Sequence, residues 1–167
     1  VADTGNHRVL IWNEVPWASG VPADTVLGQA SFDTCALNDD DQDGTEDAGP
    51  TSRTLHRPSD VWSDGERLIV ADADNFRVLI WNSFPESSFT PADVVIGQPD
   101  FQTMTPPGEP TSSSILYPYF LDSNGNQLFV ADAAGNRLLV WNSIPAENET
   151  PADVVLGQED FESAAPD

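Results

Sequence analysis

The chain is predicted to be all-β, built from tandem four-stranded antiparallel meanders. Three observations predict this. A block of 34 residues recurs three times without a gap: VADTGNHRVLIWNEVPWASGVPADTVLGQASFDT from Val1, VADADNFRVLIWNSFPESSFTPADVVIGQPDFQT from Val70 and VADAAGNRLLVWNSIPAENETPADVVLGQEDFES from Val130. Self-similarity at a fixed spacing is the mark of a repeat architecture. Within each unit, short runs rich in Val, Ile, Leu and Trp alternate with Gly, Pro, Asn and Asp, the punctuation of strands and tight turns. No stretch keeps a 3.6-residue apolar period, so helix should be nearly absent. A four-stranded unit repeated in tandem describes a propeller blade.

The second unit shows the elements in order. Strands are expected over Ser59–Ser63, Arg67–Asp72, Arg77–Asn82 and Asp93–Gln98, with turns at Asp64-Gly65, at Asp74-Asn75 and through Pro85–Pro91. The register extends upstream, where Pro58 answers Pro118, Ser63 answers Ser123, Gly65 answers Gly125 and Leu68 answers Leu128. The chain opens at the second strand of a blade and closes after a fourth, so eleven strands are expected, in groups of three, four and four. The boundaries are a partial blade over residues 1–34, an acidic insertion over 35–50, a second blade over 51–103 and a third over 104–163. Three blades do not close a ring, and open ends leave unpaired strand edges. Either the chain is part of a longer propeller, or several copies assemble to bury the open faces.

The run VADTGNHRVLIWN, and with it GERLIVADADNFRVLIWN, resembles the NHL repeat, named for its Asn-His-Leu signature. The signature appears here as Asn6-His7-Arg8-Val9, Asn75-Phe76-Arg77-Val78 and Asn136-Arg137-Leu138. The resemblance covers essentially the whole chain and implies a β-propeller, in that family most often six-bladed. These units are longer than usual because of the Pro-rich linker and the VVLGQ..F tail. Some NHL propellers are zinc-dependent amidating lyases with several His ligands around a central channel. The two histidines here, His7 and His56, cannot make a closed three-His site.

Residues found in every unit read as structure, because one ligand does not need the same residue in three places. Asp3, Asp72 and Asp132 are expected to bond backbone N–H groups in the following turn. Arg8, Arg77 and Arg137 are expected to reach a neighbouring blade's carboxylate or carbonyls through their planar fork. Trp12, Trp81 and Trp141 should fill the space between blades. The pairs Gly28-Gln29, Gly97-Gln98 and Gly157-Gln158 end the outer strand, and Phe32, Phe101 and Phe161 return into the core.

Charge bounds the partners. The formal net charge is -22, with six arginines and no lysine. Such a surface repels phosphate backbones and anionic membranes, and attracts divalent cations and basic partners. Cys35 is the sole cysteine, so no intrachain disulfide can form. A nearly thiol-free, Asp-rich chain suits an extracellular or periplasmic setting. No apolar run approaches the roughly 20 residues of a membrane helix.

Residues present in only one unit carry the functional reading. Asp39-Asp40-Asp41-Gln42-Asp43-Gly44-Thr45-Glu46-Asp47 has the pattern D-x-D-x-D-G-x-x-D. The spacing lets the side chains of Asp39, Asp41, Asp43 and Asp47 and the backbone carbonyl of Thr45 converge on one cation, while glycine permits the sharp turn. Hard carboxylate oxygens suit Ca²⁺. The loop resembles those of EF-hands, dockerins and thrombospondin type 3 repeats, and departs from the EF-hand where Pro50 replaces the bidentate Glu. The alternative is a solvated acidic insertion. Tyr117, Tyr119 and Phe120 cluster on the third inner strand and can face a ligand in a channel, or simply pack. Trp17, Trp62 and His56 are further candidates for contact with a ligand or partner.

The expected function is an extracellular propeller scaffold, stabilised by Ca²⁺, that binds a protein or further copies of itself. The alternative is a calcium-dependent propeller hydrolase or lyase. That reading requires acidic residues such as Asp60, Asp64 or Asp122 to converge on the channel axis.

Overall fold

The computed structural model describes residues 1–165. The described residues form eleven strands in three antiparallel sheets of three, four and four strands. The first sheet holds β1 (Ala2–Asp3), β2 (Arg8–Ile11) and β3 (Thr25–Leu27). The second holds β4 (Pro58–Ser63), β5 (Leu68–Asp72), β6 (Arg77–Trp81) and β7 (Val94–Ile96). The third holds β8 (Pro118–Ser123), β9 (Leu128–Asp132), β10 (Arg137–Trp141) and β11 (Val154–Leu156). Helix is confined to three single 3₁₀ turns, each joining the second and third strands of a blade.

Local chemistry repeats with the register. Val70 faces Leu79 across β5 and β6, and Val130 faces Leu139 across β9 and β10. Each complete inner strand begins at a proline, Pro58 or Pro118, and the register shifts just after it. Proline has no N–H for the ladder, which confines it to such a strand start or bulge. The residue after each 3₁₀ turn is left-handed: His7 at φ 54°, Phe76 at 56° and Asn136 at 49°. This aligns Asn136 with His7 and Phe76, so Gly135 stands where the other units have Asn6 and Asn75. A Cβ at Gly135 would lie 2.6 Å from Asp132 Oδ2, so the carboxylate occupies the space the asparagine fills elsewhere.

The core lies between the sheets rather than within them. One apolar cluster joins the first two blades, with Val9, Ile11 and Leu27 facing Val70, Leu79 and Trp81. A second joins the last two, with Ile69, Ala71 and Ile80 facing Val130, Leu139 and Trp141. Alternation along each strand sends successive side chains to opposite neighbours. Trp81 and Trp141 therefore fill the interblade space, as expected, and each indole N–H donates to a loop carbonyl, Thr90 O at 3.1 Å and Thr150 O at 3.0 Å. Backbone contacts add to this: Gly28 bridges Thr54 and Gly97 bridges Ser114 in parallel fashion across the blade junctions.

Two expectations need correction. The shared aspartates do not bond backbone N–H groups of the turn that follows them; what Asp3 and Asp72 accept from that turn are the side-chain amides of Asn6 and Asn75. Asp72 Oδ1 accepts the His56 N–H at 2.7 Å, and Asp132 Oδ1 accepts those of Leu116 and Tyr117, all ahead of the inner strand. The shared arginines bond neither a carboxylate nor carbonyls of a neighbouring blade. Arg77 Nε donates to Asp72 of its own blade at 2.8 Å, and its fork reaches the Phe101, Thr51 and Thr54 carbonyls. An antiparallel register that places residue 72 opposite 77 makes this same-blade pair the shorter reach. Phe101 and Phe161 return to the core, whereas Phe32 is exposed because no blade precedes it among the described residues.

Candidate metal centre

The acidic insertion lies between β3 and β4. Its approach is anchored by Asn38, which is fully buried. Asn38 Nδ2 donates to Asn75 Oδ1 at 3.0 Å, and Asn75 Nδ2 returns a bond to Asn38 Oδ1 at 2.9 Å. Asn75 Nδ2 also donates to Asp72 at 2.8 Å. The loop is thus tied to the buried Asp72–Arg77 pair of the second blade. Thr51 closes the other side, its hydroxyl donating to Asp40 at 2.8 Å.

Asp39, Asp41 and Asp43 each offer a carboxylate oxygen within 4.8 Å of the others, a group that can hold a metal ion. Asp39 is buried and the other two are exposed. The backbone helps to set the curl. The Asp43 and Gly44 N–H groups donate to Asp39 at 3.1 and 3.0 Å, and the Gln42 amide side chain donates to the Asp39 carbonyl. Gly44 sits at φ 89°, a conformation that costs L residues more than glycine. Each carboxylate oxygen has two acceptor sites, so these bonds leave capacity for a cation. Hydrogen bonds from the Thr45 hydroxyl and N–H hold the Asp43 carboxyl below its usual range.

Asp47, a further member of the expected ligand set, is not part of this trio. Asp47 Oδ2 accepts the Asp40 N–H at 2.7 Å, which braces the loop's base. Thr45 is turned onto Asp43. Of the bracing residues, Asn38 and Thr51 were not singled out in the sequence, Asp40 appeared only as a member of the acidic run and Asn75 only in a repeat turn. Only the unit-specific Asn38, just ahead of the acidic run, could have drawn notice.

The other candidates do not form one site. Tyr117, Tyr119 and Phe120 line a cavity of about 370 Å³ beside the inner strands, together with Arg57, Ser59 and Asp60. His56 lies next to His7, ring centroids 5.3 Å apart, with its Nε2 3.6 Å from Asp74. His7 Nδ1 accepts the Arg57 N–H at 3.1 Å. Burial, then the adjacent His56 and Arg57, lowers the His7 pKa, which matches its acceptor role. Trp17 is exposed on the loop after β2, and Trp62 packs half-buried against the core joining the last two blades.

The acidic residues on and just after the inner strands each have a backbone N–H or guanidinium partner. Asp60 accepts the Leu121 and Val61 N–H groups, Asp64 pairs with Arg67 at 2.7 Å, and Asp122 accepts the Ser123 N–H. Among the described residues, the Asp39–Asp41–Asp43 group is the one cluster of three or more His, Cys, Asp or Glu with metal-ligating geometry. No described helix is long and apolar enough to cross a membrane. No family model matches the chain, and no curated protein matches it significantly.

Proposed function

We propose that the chain is a calcium-stabilised propeller scaffold of the NHL-like kind, working outside the cytoplasm and holding a macromolecular partner. The observation that carries this reading is the convergence of Asp39, Asp41 and Asp43 on a loop braced against the second blade. Three carboxylates held close repel one another, and a divalent cation relieves that repulsion. Oxygen-only donors with a glycine-centred turn favour Ca²⁺ over softer metals. The cation's task is structural: it pins an insertion that spans the junction of the first two blades. The blades then serve as a rigid platform, consistent with repeat units that contact only their neighbours and leave their surfaces for recognition.

Calorimetric titration of the EDTA-stripped chain with CaCl₂ tests this, alongside an Asp41→Ala, Asp43→Ala variant. Saturable heat is expected for the native chain and none for the variant. At a calcium concentration about 100-fold above Kd, binding stabilises by about 2.7 kcal/mol. That raises Tm by roughly 5–11 °C for a chain of this size. Mg²⁺ should bind more weakly, because it demands strict octahedral geometry. Absence of heat and of any Tm shift would reduce the loop to a solvated insertion.

A further inference from the structure

We infer that the entry to the second blade's inner strand is a two-position switch thrown by protonation of His7. In one position the Arg57 N–H bonds to His7. In the other it bonds to Asp72, and the Arg57 side chain is re-aimed in the cavity beside the inner strands. The switch is independent of the scaffold reading and works whether or not the acidic loop takes a metal.

The repeat displays both positions. Leu55, His56 and Arg57 lead into β4, as Ile115, Leu116 and Tyr117 lead into β8. Ahead of β8, Asp132 Oδ1 accepts two backbone N–H groups, from Leu116 at 3.0 Å and Tyr117 at 2.8 Å. Ahead of β4, Asp72 Oδ1 accepts the His56 N–H at 2.7 Å, but the Arg57 N–H goes to His7 Nδ1 at 3.1 Å. The backbone differs with the acceptor. Arg57 is left-handed at φ 52°, an uncommon conformation for a residue with a side chain, and Tyr117 is not left-handed. Phe76 and Asn136 hold the place of His7 in the other units, at φ 56° and 49°. Phe76 has no side-chain acceptor to offer, and there the carboxylate takes both bonds. Asp72 Oδ1 keeps an acceptor site for a second N–H.

His7 decides between the two. A neutral imidazole accepts at one nitrogen and carries its proton on the other, so the bond to Nδ1 places that proton on Nε2. Protonation adds a hydrogen at Nδ1, where it meets the Arg57 N–H. Two donors then face each other and the bond is lost. The Asp72 carboxylate receives the freed N–H, as Asp132 receives that of Tyr117.

The charges around His7 set the threshold. His56, with its ring centroid 5.3 Å away, and Arg57 face it from the strand entry. Asp74 faces it from the turn Ala73–Asn75, 3.6 Å from His56 Nε2 and 3.7 Å from Arg57 Nε, and Asp72 from the end of β5. On its own blade Arg8 and Asp3 pair with each other at 2.7 Å, and the Gln29 amide donates to the His7 carbonyl at 3.4 Å. Burial, His56 and Arg57 outweigh the two aspartates and hold His7 below the usual 6.5 of a histidine. The neutral position therefore holds at pH 7, and the charged one takes over as pH falls through the lowered midpoint. Arg57 carries the change outward. It is the one cationic residue lining the cavity of about 370 Å³ that it shares with Ser59, Asp60, Tyr117 and Tyr119, and its side chain is 56% exposed.

The test is an NMR titration of the native chain in EDTA from about pH 8 to about pH 5, with His7→Asn beside it. Asparagine already occupies this left-handed place in the third unit, and its side-chain oxygen can accept the Arg57 N–H without titrating. Ring ¹⁵N shifts should show the Nε2–H form of His7 at neutral pH. His7 should titrate with a midpoint below 6.5, and the Arg57 amide and Cα shifts should follow the same midpoint. In His7→Asn the Arg57 signals should stay flat. His56→Leu, which copies Leu116, removes a neighbouring positive charge and should move both midpoints upward together. An Nδ1–H form at neutral pH would overturn the proposal. So would Arg57 signals that ignore His7, or that shift alike in His7→Asn. Should that variant fail to fold, the ring form and the coincidence of midpoints in the native chain decide alone.

Discussion

Arg77 and Arg8 occupy the same register and make the same first bond, but differ in burial and in the number of carbonyls they reach, so replacing each by methionine measures what those surroundings add. Arg77 and its partner Asp72 have side chains 0% exposed, whereas Arg8 and Asp3 are 16% and 26% exposed. Arg77 donates to Asp72 and to three carbonyls that tie the blade's entry and exit together. Arg8 donates to Asp3 at 2.7 Å and to the Phe32 carbonyl. Removing one partner of a buried pair leaves an uncompensated carboxylate and costs about 3–5 kcal/mol. Removing a partly solvated pair costs about 1 kcal/mol or less. Arg77→Met should therefore lower Tm by roughly 6–20 °C and Arg8→Met by no more than about 4 °C. Urea unfolding followed by tryptophan fluorescence should show the difference in midpoint with an unchanged slope. Arg77→Lys should fall between, because one ammonium cannot serve four acceptors arranged around a fork. Equal losses for the two methionine variants, or a loss below about 1 kcal/mol for Arg77→Met, would refute the claim that burial and the added carbonyl bonds set the worth of this pair.

Two further outcomes are expected. Gly97→Ala should destabilise well beyond Gly65→Ala. Both glycines have φ near 90°, at a cost of roughly 1–2 kcal/mol for an L residue. A Cβ at Gly97 would also meet Ile115 and the Phe76 carbonyl at 2.9 Å, while the space beside Gly65 is open. Thermal unfolding of the pair checks this, and equal Tm values would count against it. Asp64 should titrate with a pKa of about 2, held down chiefly by the Arg67 backbone N–H and then by its guanidinium and the Glu66 N–H. Its folded pKa lies below the unfolded 3.8, so its contribution is present above about pH 4 and fades as pH falls through about 2. The group is largely solvated, so that contribution is below about 1 kcal/mol. Carboxyl ¹³C NMR reads the midpoint, and a value near 4 would defeat the assignment.

Much of the candidate site was legible, and the limits have causes. Alternate carboxylates at 39, 41 and 43 with glycine at 44 imply convergence from local spacing alone, and the three do converge. The fate of Asp47 was not legible, because its partner is the Asp40 N–H, decided by how the loop folds onto itself. The role of Asn38 was not legible either, because its partner is Asn75, 37 residues away. Tyr119 and Phe120 are both exposed although adjacent on a strand, which strict alternation forbids. The bulge after Pro118 breaks the alternation there.

The sequence by itself determined the all-β class, the eleven strands in groups of three, four and four, and the near absence of helix. These follow from period, turn chemistry and repeat, which are local properties that a chain states once per unit. Tertiary structure decided what the repeat leaves degenerate. The three tryptophans read alike, yet Trp81 and Trp141 are buried while Trp12 is only half covered. The three Asp–Arg pairs read alike, yet one is partly solvated. The physical reason is that burial depends on what packs on a residue: among the described residues the first blade has no inner strand or preceding segment to cover its Asp–Arg pair and no blade against its Trp12, whereas the third blade's pair stays buried.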